Sequence, residues 1–283
     1  MSVYPQKSVN LHTHSDFCDH ATGSVADYVA YARRAGLKVL GMTEHAPVPG
    51  NPISCNMMYE DLPRYVSTVR SQDSPDLRVL LGCECDFEPV LENYYRDELL
   101  GKYGFDYLIC SIHLYFDFEQ RAMCFASKSR DFSRYLSDYV ARYCRALESG
   151  IFLFGCHPDL FRASYLPWDE NARLASRDII QCAVENDIPL EINGCGLRKP
   201  QVHAPEGLRC PYSTDEFYAL ARDMGALICL SSDAHQPSLV AGQLTPDGIS
   251  DTRAMADRLG ITPVSWSIEG TGAQAIPPEP AAV

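Results

Sequence analysis

The chain alternates between short, nearly uninterrupted apolar runs and longer segments whose apolar positions recur at helical spacing. The runs are Ser8-Val9-Asn10-Leu11, Val39-Leu40-Gly41-Met42-Thr43-Glu44, Val79-Leu80-Leu81-Gly82-Cys83, Tyr107-Leu108-Ile109-Cys110-Ser111-Ile112, Phe152-Leu153-Phe154-Gly155-Cys156, Ile188-Pro189-Leu190-Glu191-Ile192-Asn193 and Leu227-Ile228-Cys229-Leu230-Ser231-Ser232. Short apolar runs of this kind read as strands buried on both faces. Between them, Val25, Val29, Ala32 and Ala35 repeat at helical spacing behind a capping Ser24 and stop at Gly36, which predicts a helix near 24–36. Comparable segments predict helices near 59–71, 92–102, 130–149, 171–186 and 214–224.

Strands that alternate with helices imply a parallel sheet covered on its outer face. Polar, chemistry-bearing residues follow at least six of the runs. An open doubly wound sheet, the structural alternative, gathers ligands from two or three strand ends at its switch point, whereas a closed α/β barrel brings every strand end to one mouth. The pattern therefore predicts a barrel as a single domain over 1–268. Residues 261–266 read as an added edge strand, and 269–283, rich in Gly, Ala and Pro, as a flexible tail.

Seven of the eight histidines stand at or just past the ends of these runs, and two carboxylates, Glu84 and Asp233, hold equivalent places. His12 and His14 flank Thr13, so period-two alternation turns both imidazoles to one face. Asp233 and His235 share that spacing, and Glu84 faces away from Cys83 and Cys85, which read as core residues. A strand-end histidine by itself is more often a hydrogen-bonded residue than a ligand. Seven together with two carboxylates in register point to a polynuclear metal site and a metal-dependent hydrolase. Imidazole with carboxylate suits Zn, Fe or Mn. The eighth histidine, His203, has no run before it and reads as a solvated loop residue.

Composition narrows the setting. At 283 residues and 46% hydrophobic, the chain can bury a full core. A formal charge of −13 argues against nucleic acid or anionic membrane as partner, but not against a small anionic substrate, because bound divalent cations reverse the field locally. The twelve cysteines are spread through strand-like and helical segments, which suits a reduced, cytoplasmic protein better than a disulfide framework. No segment has the length and hydrophobicity of a membrane span.

The elements His12-Thr13-His14 with His20, Thr43-Glu44-His45, Glu84, His113, His157-Pro158-Asp159 and Ser232-Asp233-Ala234-His235 together resemble the polymerase and histidinol phosphatase (PHP) family. The resemblance implies a distorted (β/α)7 barrel with a three-ion site at the C-terminal ends of the strands. It implies His12, His14, Glu84 and Asp233 on one ion, Glu84, His113 and His157 on a second, and His20, His45 and His235 on a third. Nine ligands with one bridging carboxylate make about ten bonds, shared as four, three and three, which leaves positions open for water and phosphate oxygens.

Adjacent divalent ions of that kind activate a bridging hydroxide for attack on a phosphate monoester, with Glu84 and Asp233 as the catalytic carboxylates. No Gly-x-Ser-x-Gly elbow, Walker loop or thiol-phosphatase loop offers a competing nucleophile. A phosphate dianion calls for a guanidinium, and Arg198 is the first choice, with Arg162 second; both stretches resemble the histidinol-phosphate phosphatase branch. L-histidinol phosphate is the substrate implied. A nucleoside phosphate or short nucleic acid as substrate, and a non-catalytic metal-binding module, are the rival readings. Asp16, Asp117, Glu119 and Asp159 are candidates for holding a substrate ammonium group.

Overall fold

Each of the seven apolar runs contributes a strand to one parallel sheet. The computed structural model describes residues 2–50, 56–117, 122–125, 132–241, 251–270 and 272–279. In chain order its strands are β1 (Ser2–Pro5), β2 (Val9–Asn10), β3 (Val39–His45), β4 (Arg78–Asp86), β5 (Tyr107–Ser111), β6 (Leu114–Asp117) and β7 (Ala122–Phe125). These are followed by β8 (Phe152–Gly155), β9 (Leu190–Asn193), β10 (Val202–Ala204), β11 (Gly207–Arg209), β12 (Ile228–Ser231), β13 (Ser265–Glu269) and β14 (Gly272–Ile276). The helices are α1 (Val25–Arg34), α2 (Leu62–Arg70), α3 (Phe132–Glu148), α4 (Glu170–Glu185), α5 (Gly194–Arg198), α6 (Asp215–Asp223) and α7 (Asp251–Leu259).

Among the described residues the parallel sheet runs β12-β9-β8-β5-β4-β3-β2, and Thr13 bridges Ala234 in parallel between its two outer strands. The sheet is therefore a nearly closed seven-stranded barrel, as the alternation of runs and helices predicts. Its two faces have separate cores. Along β4, Val79, Leu81, Cys83 and Cys85 pack outward with the helices, while Leu80 joins Val9, Val39, Ile109 and Phe154 inside the barrel. Glu84 falls on the inward phase of that alternation, opposite both thiols. Ten described cysteines are free.

Two glycines shape the interior. A Cβ at Gly82 would stand 2.6 Å from Tyr107 Cζ, and one at Gly41 would overlap the Tyr107 hydroxyl. Their bare backbones admit the Tyr107 ring, whose hydroxyl donates to Leu11 O at 2.9 Å. Beneath this layer, β1, β13 and β14 form an antiparallel sheet that closes the barrel at the end where the strands begin. Trp266 and Ile268 enter the interior core from it, and the Trp266 indole donates to Gln6 Oε1 at 3.1 Å. Gln6 in turn donates to Leu230 O at 2.8 Å, which ties the floor to β12.

Several elements differ from expectation. The added strand lies at Ser265–Glu269 rather than 261–266. Gly272–Ile276, which composition assigns to a flexible tail, pairs antiparallel with it, because Ala273 and Ala275 are small enough to pack against the floor. The helix expected near 92–102 winds as a π-helix over Tyr94–Lys102. Helices α5 and α7 are additions to the expected set. Among the described residues, no helix is long and apolar enough to cross a membrane.

Trp266 is only 1% exposed and fills the floor of the barrel. Replacing Trp266 by Ala should cost about 3–5 kcal/mol of stability in urea unfolding. A loss below about 1 kcal/mol would show that the floor is not part of the cooperative core.

Candidate metal centre

The strand ends converge on Glu84. The parallel register of β3 on β4 sets His45 directly beside it, and His45 Nδ1 lies 3.0 Å from Glu84 Oε2. His12 Nε2 and His14 Nε2 each lie 3.4 Å from the same oxygen. The other oxygen, Oε1, is 2.9 Å from His157 Nε2 and 3.9 Å from His113 Nδ1. Asp233 Oδ1 gathers the remainder: His14 Nε2 at 3.2 Å, His235 Nδ1 at 3.4 Å and His12 Nε2 at 3.6 Å. His20, on the loop after β2, meets His235 with their Nε2 atoms 2.9 Å apart.

All nine residues expected to ligate thus lie in one cluster. The grouping implied for the third ion is only partly reproduced, since His20 and His235 meet while His45 directs Nδ1 to Glu84. Ligands 2.0–2.1 Å from one tetrahedral ion have donor atoms roughly 3.3 Å apart, close to the separations seen here. Among the described residues, the sets whose donors lie mutually close enough to hold an ion include His12, His14 and Glu84; His45, Glu84 and His113; and His14, His45 and His235. Asp233 Oδ1 and the Nδ1 atoms of His113 and His157 are buried without a hydrogen-bond partner, an arrangement that costs free energy unless another group takes them up.

The electrostatics fit the same reading. Burial raises the Glu84 pKa, but His45, His12 and His113 outweigh it and hold the carboxylate well below its ordinary range. Burial likewise opposes ionisation of Asp233, and His12, His14 and His235 overcome it. Desolvation, with the neighbouring His45 and His235, pushes His20 down to about 4. Burial pulls His113 down, yet Asp86 and Glu84 leave it raised to about 9. Both carboxylates are therefore charged and His20 neutral at neutral pH, as metal coordination requires, whereas, against burial, the carboxylates Glu191, Asp233 and Glu84 raise His12 and Asp86 and Glu84 raise His113, so a bound cation would have to displace a proton from each.

A second layer aims these groups. Glu191, wholly buried in β9, accepts from His12 Nδ1 at 2.7 Å, which leaves Nε2 with its lone pair toward the cluster. It also accepts from the His157 backbone N–H at 2.8 Å, from Asn193 Nδ2 at 2.8 Å and from the Ser231 hydroxyl. His157 and Asp233 both sit in the left-handed backbone region, with φ of 31° and 46°. Such conformations cost about 1–3 kcal/mol in residues other than glycine and persist where surroundings enforce them. Asp86 accepts the His113 backbone N–H at 2.5 Å, and Glu44 accepts from the backbone and hydroxyl of Ser15 at 2.6 and 2.5 Å. The signal for Glu191 was a carboxylate inside an apolar run, where only a buried partner accounts for it.

The cluster opens into a cavity of about 690 Å3 whose wall includes Asn56, Asp86, Cys195, Arg198, Lys199 and Tyr212. Arg198 is part of that wall. Arg162 is fully buried: it donates through Nη1 to Tyr165 O at 3.1 Å and to Pro167 O, and packs over Trp168. Its Nη1 braces its own loop, while Nε and Nη2 are buried without a hydrogen-bond partner, and Arg162 is not among the residues that line the cavity. Asp159 is also committed, accepting from the Ser213 and Thr214 backbones at 3.0 and 2.7 Å. Asp16 is exposed, and His203 is exposed on the β10–β11 hairpin. Glu119 and the side chain of Asp117 lie outside the described residues.

Because Glu191 orients His12 and fixes the turn at His157, Glu191→Gln should weaken metal affinity by about 10–100-fold in competition with a chelator. An unchanged affinity would mean that the second layer does not govern the site.

Comparison with known proteins agrees with this geometry. A PHP domain model matches residues 10–194. A Deinococcus radiodurans protein named "Probable histidinol-phosphatase" is 30% identical over 254 residues, 87% of this chain and 93% of that one. A Schizosaccharomyces pombe protein of the same name is 26% identical over 263 residues, 82% of each chain. The structure of a histidinol phosphate phosphatase from Lactococcus lactis, complexed with Zn, L-histidinol and phosphate, superposes with a TM-score of 0.67 at 15% identity, covering 95% of this chain and 99% of that one. With its nearly closed seven-stranded barrel and its histidines gathered around Glu84, the chain belongs to the PHP domain family.

Proposed function

We propose that this PHP-family phosphoesterase hydrolyses L-histidinol phosphate to L-histidinol and phosphate with three divalent ions. The observation that carries the proposal is the Glu84 carboxylate, whose two oxygens face two different sets of imidazoles. Glu84 would then be shared between an ion held with His12, His14 and Asp233 and an ion held with His113 and His157. His20, His45 and His235 would hold the third ion, while His45 also lies 3.0 Å from Glu84 through Nδ1. Divalent ions bound there supply positive charge for a phosphoryl group and lower the pKa of water.

The protein's own groups do the remainder. Glu84 and Asp233 hold negative charge where they face the cavity, and Asp233 Oδ1, buried without a hydrogen-bond partner, is available to a cation. Arg198 brings a guanidinium to the cavity wall for phosphate oxygens. The histidinol moiety is supported by the names of the relatives and by a cavity with room for a small monoester beside its carboxylates. Asp86, which lines the cavity beside His113, is the candidate for the substrate ammonium group by its charge and position.

Metal-loaded protein tested on histidinol phosphate, p-nitrophenyl phosphate, nucleoside monophosphates and a single-stranded oligonucleotide separates the readings. We expect kcat/KM for histidinol phosphate to exceed that for the others by about 100-fold or more. Preference for nucleotides would reject the substrate, and no hydrolysis of any ester would favour a non-catalytic metal-binding module. Metal analysis at saturation should give about three ions per chain, and a plateau near one would contradict the three-ion site.

A further inference from the structure

The cavity wall carries two basic side chains, Arg198 and Lys199, in adjacent positions. They come from one local device. Asn193 ends β9 and accepts the Gly196 N–H at 3.1 Å, turning the chain into α5, whose last residue is Arg198. The Lys199 backbone N–H bonds to Cys195 O at 3.1 Å and Gly196 O at 3.3 Å, which fixes where its side chain leaves the turn.

The two cations differ in what else they hold. Arg198 Nη2 donates to Ser232 O at 2.5 Å and reaches Asp233 O at 3.4 Å, while Nη1 pairs with Asp251 Oδ2 at 3.2 Å. A guanidinium has five N–H donors, so three of them already serve protein acceptors. The carbonyls it holds flank Asp233, the residue in the left-handed conformation, and its charge rests against a carboxylate on α7. Arg198 is thus in large part a positioning residue for Asp233. Lys199 is exposed, and its ammonium has no hydrogen bond or ion pair among the described residues.

A phosphate dianion entering this cavity meets the carboxylates of Glu84, Asp86 and Asp233. It needs positive charge not already matched by a neighbour, on a stem able to follow it. We infer that Lys199 is the phosphate-recruiting cation of this site, while Arg198 divides its donors between the substrate and the turn that carries Asp233. The inference rests on the phosphomonoesterase reading and names a recognition residue within it.

The test uses the metal-loaded, full-length protein with Lys199→Ala, Lys199→Arg and Arg198→Ala. Inorganic phosphate is the probe, as an inhibitor of p-nitrophenyl phosphate hydrolysis and by calorimetric titration. Lys199→Ala should raise KM and the phosphate inhibition constant together by about 5–20-fold, with kcat within about threefold and metal content unchanged. Lys199→Arg should restore most of the affinity. Arg198→Ala should instead lower kcat and loosen bound metal, because the Asp233 turn loses its brace. Phosphate affinity within about twofold of the unsubstituted protein in Lys199→Ala would overturn the inference. Should the unsubstituted protein hydrolyse no ester, the phosphomonoesterase reading fails, and the calorimetric comparison still decides whether Lys199 binds phosphate.

Discussion

Five imidazoles converge on one buried carboxylate. Glu84 lies within 4 Å of His12, His14, His45, His113 and His157, and the rest of the molecule is arranged so that this crowding can persist. A carboxylate stripped of water would rise in pKa and protonate. The surrounding histidines prevent it, and they arrive there because every barrel strand delivers its C-terminal end to the same mouth. A one-residue slip of β4 would turn Glu84 outward and Cys83 or Cys85 inward. The apolar alternation that keeps those thiols under the helices therefore also places the central ligand.

The second layer and the backbone strain belong to the same constraint. Glu191 sets the tautomer of His12 and takes the backbone N–H of strained His157. Arg198 takes the carbonyls around strained Asp233 and is itself neutralised by α7. At both strained ligands, a charged side chain from another element holds the turn. Among the described residues, this division leaves Lys199 as the uncommitted cation on the cavity wall, and it links a helix at the barrel's periphery to the orientation of a candidate ligand.

Much of this was legible in the sequence because it depends on local pattern. Buried parallel strands need unbroken apolar runs, and a ligand past a strand end is visible as a polar residue after such a run. All seven runs are strands, and the nine expected ligands share one cluster. What was not legible depends on tertiary direction. Arg162 and Arg198 look alike in a loop-rich stretch, but only the fold decides that one guanidinium braces its own loop while the other reaches the cavity. Glu191 sits mid-strand, where sequence shows a polar interruption and not its partner. Strand β14, made largely of Gly and Ala, has little strand propensity and is paired because the floor accepts small residues. Helix α7 gains its role from Asp251, whose partner lies 53 residues away.

Anomalous diffraction from crystals of the metal-loaded protein tests the central claim most directly. The account requires separate metal peaks on either side of Glu84, one bonded to each carboxylate oxygen, with a further peak among His20, His45 and His235. A single peak, or peaks that leave Glu84 unligated, would contradict it.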